Sequence, residues 1–366
     1  MNTMYQKFLS LMCGNMVFLS FILLLFAVFS INTLHPIVAG DSVSYVESIE
    51  VLRHVDVPPD FIANRIVTTY GALQTIRLLD VFFQDISITW LVINTVLYIC
   101  TGLFFYRIVD GLVEEKKIAF LSMWLLMTNY AMVRFGLGYL MDIGGWFFYI
   151  ISIYFSYKYL QEERVRWLVA ATSFVALGGL WKEYAFLAYV VVVGVIIYVN
   201  RSSLKKISVL LVSSGFAVAT PIILINIYCF IVYKYTYLSW LAHQEGLYPG
   251  QNILVEYVKS FGSLYNFSSF FIIGGIVLFI KNIKSVFVDK KLFFIGLVIV
   301  SALPVFVWPV VTRVLFVTAP ALILLSSLYM KKIERRWYVL YLVLILSALC
   351  GHYMDSFILN FVNLPF

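Results

Sequence analysis

Gly40-Asp41-Ser42-Val43-Ser44-Tyr45 stands just beyond the first long apolar run, Met16–Leu34, and opens a segment, residues 35–85, that separates this run from the next. Two amphipathic patterns fill that segment, divided by Pro58-Pro59. The first passes through Val43, Val46, Ile49, Val51 and Leu52, with Glu47 and Glu50 on the wet side. Asp41 or Ser42 can cap such a helix, because their side-chain oxygens accept from the orphan amides of a first turn. The two prolines end it. The second pattern begins at Asp60 and sets Phe61, Ile62, Ile66, Val67, Tyr70, Leu73, Ile76 and Leu79 mostly three and four apart, one stripe of a helix. Lying in a membrane interface rather than crossing it, the two would form a platform beside a bundle of spans.

The composition requires that membrane. Of 366 residues, 62% are hydrophobic and 12% charged, against roughly 25% charged in water-soluble domains. Such a chain cannot clothe its surface in polar groups. The expectation is an all-α polytopic membrane protein of about eleven spans, near residues 16–34, 86–106, 118–134, 143–160, 166–181, 184–200, 207–233, 267–281, 291–308, 312–330 and 337–357. Residues 1–233 form one module with its outer loop at 35–85; residues 234–366 form a C-terminal membrane region with an outer loop at 235–266. Connecting segments alternate in charge. One set carries 18 of the 26 basic residues, among them Lys7, Lys116, Lys117, Lys205, Lys206, Lys331, Lys332, Arg335 and Arg336; the other carries 12 of the 19 acids. By the positive-inside rule the first set is cytoplasmic, the N-terminus inside and the C-terminus outside. The net charge of +7 then reflects orientation and not nucleic-acid binding. The chain has the general character of a bacterial cytoplasmic-membrane protein.

This orientation narrows the chemistry. The cytoplasmic loops are short charge anchors, and no GxxxxGK[ST] phosphate loop occurs. Both long loops face outward, where nucleotides are scarce, so an activated substrate arrives most naturally on a lipid. Four features gather on that face: Asp41 after the first span; Asp142, in Asp142-Ile143-Gly144-Gly145, at the start of the fourth; Lys182-Glu183 at the hairpin tip between the fifth and sixth; and Arg313 at the outer start of the tenth, after Pro304 and Pro309. Ionisable groups at membrane depth are costly and are functional candidates by default.

In these residues the chain resembles the type C glycosyltransferases, polytopic enzymes that take sugar from a polyprenyl-linked donor at the outer leaflet. The resemblance rests on the Gly-Asp-x-x-x-Tyr setting of Gly40, Asp41 and Tyr45, on two interfacial helices in the first outer loop, on Asp142 opening the fourth span, and on the Lys182-Glu183 tip. It covers roughly residues 16–233. Many members carry two adjacent acids after the first span, whereas here Ser42 follows Asp41, which points away from the protein O-mannosyltransferase branch. The large soluble C-terminal domain that some members carry is not expected from this sequence. The resemblance implies a direct displacement with inversion, Asp41 as general base, Lys182, Arg313 and Arg65 holding phosphate, and Asp142 and Glu183 orienting those cations or the sugar hydroxyls. The implied partners are a polyprenyl-phosphate-linked sugar donor, an envelope glycan, lipid or protein acceptor, and the bilayer.

Plain structural readings stand beside these. Asp41 and Asp142 can be helix caps, Lys182-Glu183 a pair that solubilises a tight turn, Gly144-Gly145 a close-packing site, and Arg65, Arg77 and Arg313 headgroup anchors. Trp240, His243, Gln244 and Glu245 in the second outer loop can touch acceptor or simply be solvated. His35, His54, His243 and His352 match no ligand spacing, and the four cysteines form no CxxC, so no zinc site or disulfide framework is expected; a divalent cation held by Asp41 with other acids is left open. Two other functions fit an oily chain without nucleotide sites. A transporter or flippase would place its charges near the midplane on repeated, broken helices; no repeat is seen. An O-antigen polymerase or ligase would concentrate arginines in a late outer loop; residues 235–266 hold only Lys259 and no arginine.

Overall fold

The computed structural model describes residues 14–36, 40–54, 61–244, 253–307 and 312–362. Lys7, Pro58, Pro59, Asp60, Glu245 and Pro309, and the expectations placed on them, lie outside the described residues. Every regular element among the described residues is helical. Among the described residues, six helices are long and apolar enough to cross a membrane: Met16–Leu34, Ile86–Val113, Leu204–Tyr233, Glu256–Lys281, Thr312–Lys332 and Glu334–Met354. The chain is an integral membrane protein. The other five expected spans are shorter or more polar. Lys116–Met127 has only 12 residues, because the chain leaves the helix at Thr128 and turns through Met132–Gly136. Val165–Gly179 and Glu183–Val199 are short apolar helices. Asp142–Glu162 has 21 residues but is threaded with tyrosine and serine.

The chain divides into two compact units. One holds residues 1–36, 98–137 and 253–366. Its helices approach closely where side chains are missing: a methyl on Gly274 would meet the Tyr329 ring at 2.5 Å. Its irregular turns are closed by side chains, with Asn129 Nδ2 donating to Leu264 O at 2.5 Å and Arg134 donating to Leu34 O at 3.2 Å and His35 O at 3.3 Å.

The other unit holds residues 37–97 and 138–252. Two helices of the first loop, Gly40–His54 and Asn64–Phe83, pack together here. Ile49, Leu52, Ile66, Leu73 and Ile76 of the two stripes are buried, whereas Val43, Val46, Ile62 and Leu79 are exposed. Charges lock the two helices: Arg53 binds Glu50 at 2.8 Å and also Asp80, and Thr89 donates to Asp80 at 3.0 Å. Arg77, a possible lipid anchor by sequence, donates to Leu52 O. The Asn64–Phe83 helix is kinked at Thr69 (φ −139°, ψ 30°). The cause lies two residues on, where the Gly71 amide bonds Leu180 O at 2.7 Å. A Cβ on Gly71 would stand 3.1 Å from that oxygen, so the approach suits glycine.

Candidate active site

The Gly40–His54 helix starts at Gly40, so Asp41 lies inside its first turn and not at a cap outside it. A carboxylate is favoured there by the helix dipole. Ser42 is buried and donates to Tyr139 O at 2.7 Å. That bond belongs to a set that satisfies the irregular backbone ahead of Asp142. Asn94 Nδ2 donates to Gly138 O at 2.7 Å and Leu140 O at 3.1 Å, and Trp90 Nε1 donates to Leu140 O at 3.3 Å. Non-helical backbone at membrane depth needs such partners. One turn on from Asp41, Tyr45 is fully buried, edge-on to Trp90 at 5.7 Å. Trp90 is in turn edge-on to Tyr139 at 5.9 Å.

Arg65 enters from the turn before the Thr69 kink. Its guanidinium donates to the Asp41 carboxylate and lies over the Tyr45 ring, 5.0 Å from the centroid. The opposite end of Tyr45 meets Lys182, whose ammonium donates to the hydroxyl at 3.5 Å. Lys182 is buried and pairs with Glu183 at 3.8 Å. Burial works against its charge, but Glu183, Tyr45 and Asp142 outweigh that and raise its pKa above the ordinary lysine value. Tyr184, next in the chain, donates to the Asp142 carboxylate. Asp142 is buried and opens the Asp142–Glu162 helix, as its place in the sequence predicts. Two glycines in that helix admit the tip. A methyl on Gly145 would stand 2.5 Å from Tyr184 Cε2 and 2.7 Å from Lys182 Cβ, and one on Gly144 would overlap the Trp181 indole.

Six of the seven residues named from sequence, Asp41, Tyr45, Arg65, Asp142, Lys182 and Glu183, thus fall in one unit, linked through Tyr45 and the hairpin tip. The seventh, Arg313, sits in the Thr312–Leu315 turn of the other unit. The sequence reading gave no role to Tyr184, Trp90 or Asn94. Asn94, a polar side chain inside an apolar run, was a legible signal; the other two were hidden among 25 tyrosines and 8 tryptophans. Trp240 is buried, its ring 5.0 Å from that of Tyr237. Among the described residues no three His, Cys, Asp or Glu side chains gather as a metal-holding set. With Arg65 on Asp41 and Tyr184 on Asp142, the residues present do not fit the divalent cation left open above.

Residues 74–228 match the family model of dolichyl-phosphate-mannose-protein mannosyltransferase. Over that segment the chain is similar to a family of the type C glycosyltransferases. The description of that family implies a membrane glycosyltransferase that uses a polyprenyl-phosphate sugar. The matched segment contains Asp142, Lys182 and Glu183 and begins after Asp41, Tyr45 and Arg65. It therefore does not bear on the single acid that points away from the protein O-mannosyltransferase branch. A comparison with curated proteins finds no match.

Proposed function

We propose that this protein moves a sugar from a polyprenyl-phosphate donor to a hydroxyl of a cell-envelope acceptor, with inversion, at the extracytoplasmic face of a bacterial cytoplasmic membrane crossed about eleven times. The observation that carries the reading is the meeting of Asp41 and Arg65 with Lys182 around Tyr45, from parts of the chain 24 and 137 residues apart. Asp41 takes the proton of the acceptor hydroxyl as that oxygen bonds to the anomeric carbon. The bond from the anomeric carbon to the phosphate oxygen breaks, and the lipid phosphate leaves with the electron pair. Arg65 and Lys182 balance its charge; guanidinium and ammonium groups in a water-poor site are suited to a leaving phosphate. The raised pKa of Lys182 keeps it cationic throughout the physiological range. Asp142 and Tyr184 hold the tip that carries Lys182. Arg313 as a further phosphate ligand rests on its sequence position alone.

The Asp41–Arg65 pair gives the order of events. With Arg65 bound to it, the Asp41 carboxylate is engaged. A donor phosphate competes for the same guanidinium and releases the carboxylate for the acceptor proton. Membranes given labelled polyprenyl-phosphate sugars test this. Asp41→Asn keeps the shape and removes the base, so transfer should fall by roughly 10²- to 10⁴-fold. Transfer at near wild-type rate by a stably folded Asp41→Asn protein would refute the assignment, as would tags placing Gly40 on the cytoplasmic side.

A further inference from the structure

Among the buried polar atoms without a hydrogen bond in the unit that holds this cluster are Arg65 Nε, Glu183 Oε2 and the Tyr235 hydroxyl, with Trp181 Nε1 close to Glu183 in sequence at the tip. Buried polar atoms are seldom left so, and each calls for a partner. Arg65 and Glu183 share one neighbourhood, and Tyr235 lies near enough to feel the charge of Arg65. Glu183 reaches Lys182 through its other oxygen, Lys182 bonds Tyr45, and Arg65 lies over the Tyr45 ring. Tyr235 follows the Leu204–Tyr233 helix, which packs on the Asn64–Phe83 helix that carries Arg65. The left-handed residue Lys234 (φ 54°) turns the chain between them. Burial pushes the Tyr235 phenol up while the charge of Arg65 draws it down; the adjacent Tyr237 phenol is pushed up by its own burial and by Glu183.

The chemistry of the set selects its ligand. Arg65 Nε only donates, the Glu183 oxygen only accepts, and a phenol does either. A phosphate has no proton for Glu183 and is repelled by it. A prenyl chain satisfies none of the three. A ring bearing several hydroxyls satisfies all of them, because each hydroxyl both donates and accepts.

We propose that Tyr235 is a substrate-binding residue and that its hydroxyl, with Arg65 Nε and Glu183 Oε2, forms a hydroxyl-recognising subsite for the sugar of the lipid donor. This rests on the function proposed above. The subsite separates recognition of the sugar from recognition of the phosphate, which falls to the charged ends of Arg65 and Lys182.

The test compares purified wild type with Tyr235→Phe in detergent. Binding is measured for bare polyprenyl phosphate and for a panel of polyprenyl-phosphate hexoses and pentoses, by tryptophan fluorescence. Wild type should bind at least one sugar-bearing lipid more tightly than the bare lipid. Tyr235→Phe should lose roughly tenfold of that added affinity, the worth of one hydrogen bond, and should bind the bare lipid as wild type does. Three results overturn the proposal: an unchanged preference for the sugar in Tyr235→Phe, an equal loss for both lipids, or no preference for any sugar in wild type. Melting temperature, expected unchanged, guards against misfolding. Transfer is scored separately on the same preparations. Selective binding without transfer to any acceptor sinks the transferase reading, whereas transfer without selective binding sinks only the subsite.

Discussion

Lys182→Met removes a buried ammonium and keeps most of the aliphatic volume. Lys182 is 7% exposed, and its nitrogen lies 3.8 Å from Glu183 and 3.5 Å from the Tyr45 hydroxyl. Opposite charges about 4 Å apart attract by about 4 kcal/mol at an effective dielectric near 20. Stranding one member of a buried pair costs about 3–5 kcal/mol. The Glu183 side chain keeps 14% of its surface, so some water reaches the stranded carboxylate and the lower end applies, about 3 kcal/mol. Glu183→Gln should cost less, because Lys182 keeps the charge of Asp142 and the Tyr45 hydroxyl as partners. The double variant should then recover roughly 2 kcal/mol relative to the sum of the singles. Unfolding by SDS titration of the four detergent-purified proteins, followed by tryptophan fluorescence, measures this cycle. The pH dependence has a definite sign. A lysine whose folded pKa is raised contributes stability that is fully present below the unfolded value, about 10.4, and is lost only as pH rises through the folded value. The coupling should therefore be flat between pH 7 and 10. A wild-type stability for Lys182→Met, an additive cycle, or a coupling that decays below pH 10 would each refute the reasoning.

Three further outcomes follow from the same geometry. Arg65→Lys keeps the charge but loses the planar fork; initial-rate assays with the lipid donor should show a roughly 10- to 100-fold fall in kcat/KM, the worth of one charged hydrogen bond. Gly145→Ala drives a methyl onto the Tyr184 ring and the Lys182 stem; overpacking should cost about 1–3 kcal/mol, and transfer should fall with it, since both side chains of the tip are displaced. Arg53→Met strands the buried Asp80 and should lower stability by about 3–5 kcal/mol; transfer per folded molecule should hold, because that pair ties the two loop helices together and lies outside the proposed catalytic cluster. A loss of specific transfer in Arg53→Met at intact fold would move Asp80 into the site.

Much of the local setting of the candidate site was visible residue by residue. Asp142 opens its helix, and Lys182-Glu183 occupies a tip, because a helix start and a tight turn leave local marks in a sequence: an acid before an apolar run, charges between two of them. The spans were less legible in detail. Lys116–Met127 ends early since Thr128 and the residues after it leave the helix for a turn that apolar composition does not reveal. The Asn64–Phe83 stripe was read correctly through Ile76, but the kink at Thr69 depends on an amide of Gly71 spent on Leu180, more than a hundred residues away.

Composition alone determined that this chain is helical and lives in lipid, because so few charges cannot clothe a water-facing surface and because bilayer helices satisfy their own backbone. It also marked which acids and bases are too costly to be idle. What tertiary structure decided is the pairing: Arg65 on Asp41, Lys182 on Tyr45, Tyr184 on Asp142, and the open polar atoms of Arg65, Glu183 and Tyr235. Periodicity assigns a side chain to a face of its own helix. Which charge it meets depends on kinks, glycine contacts and turns that bring distant segments within a few ångströms, and such short distances decide whether a buried charge is held, shared or left for a substrate.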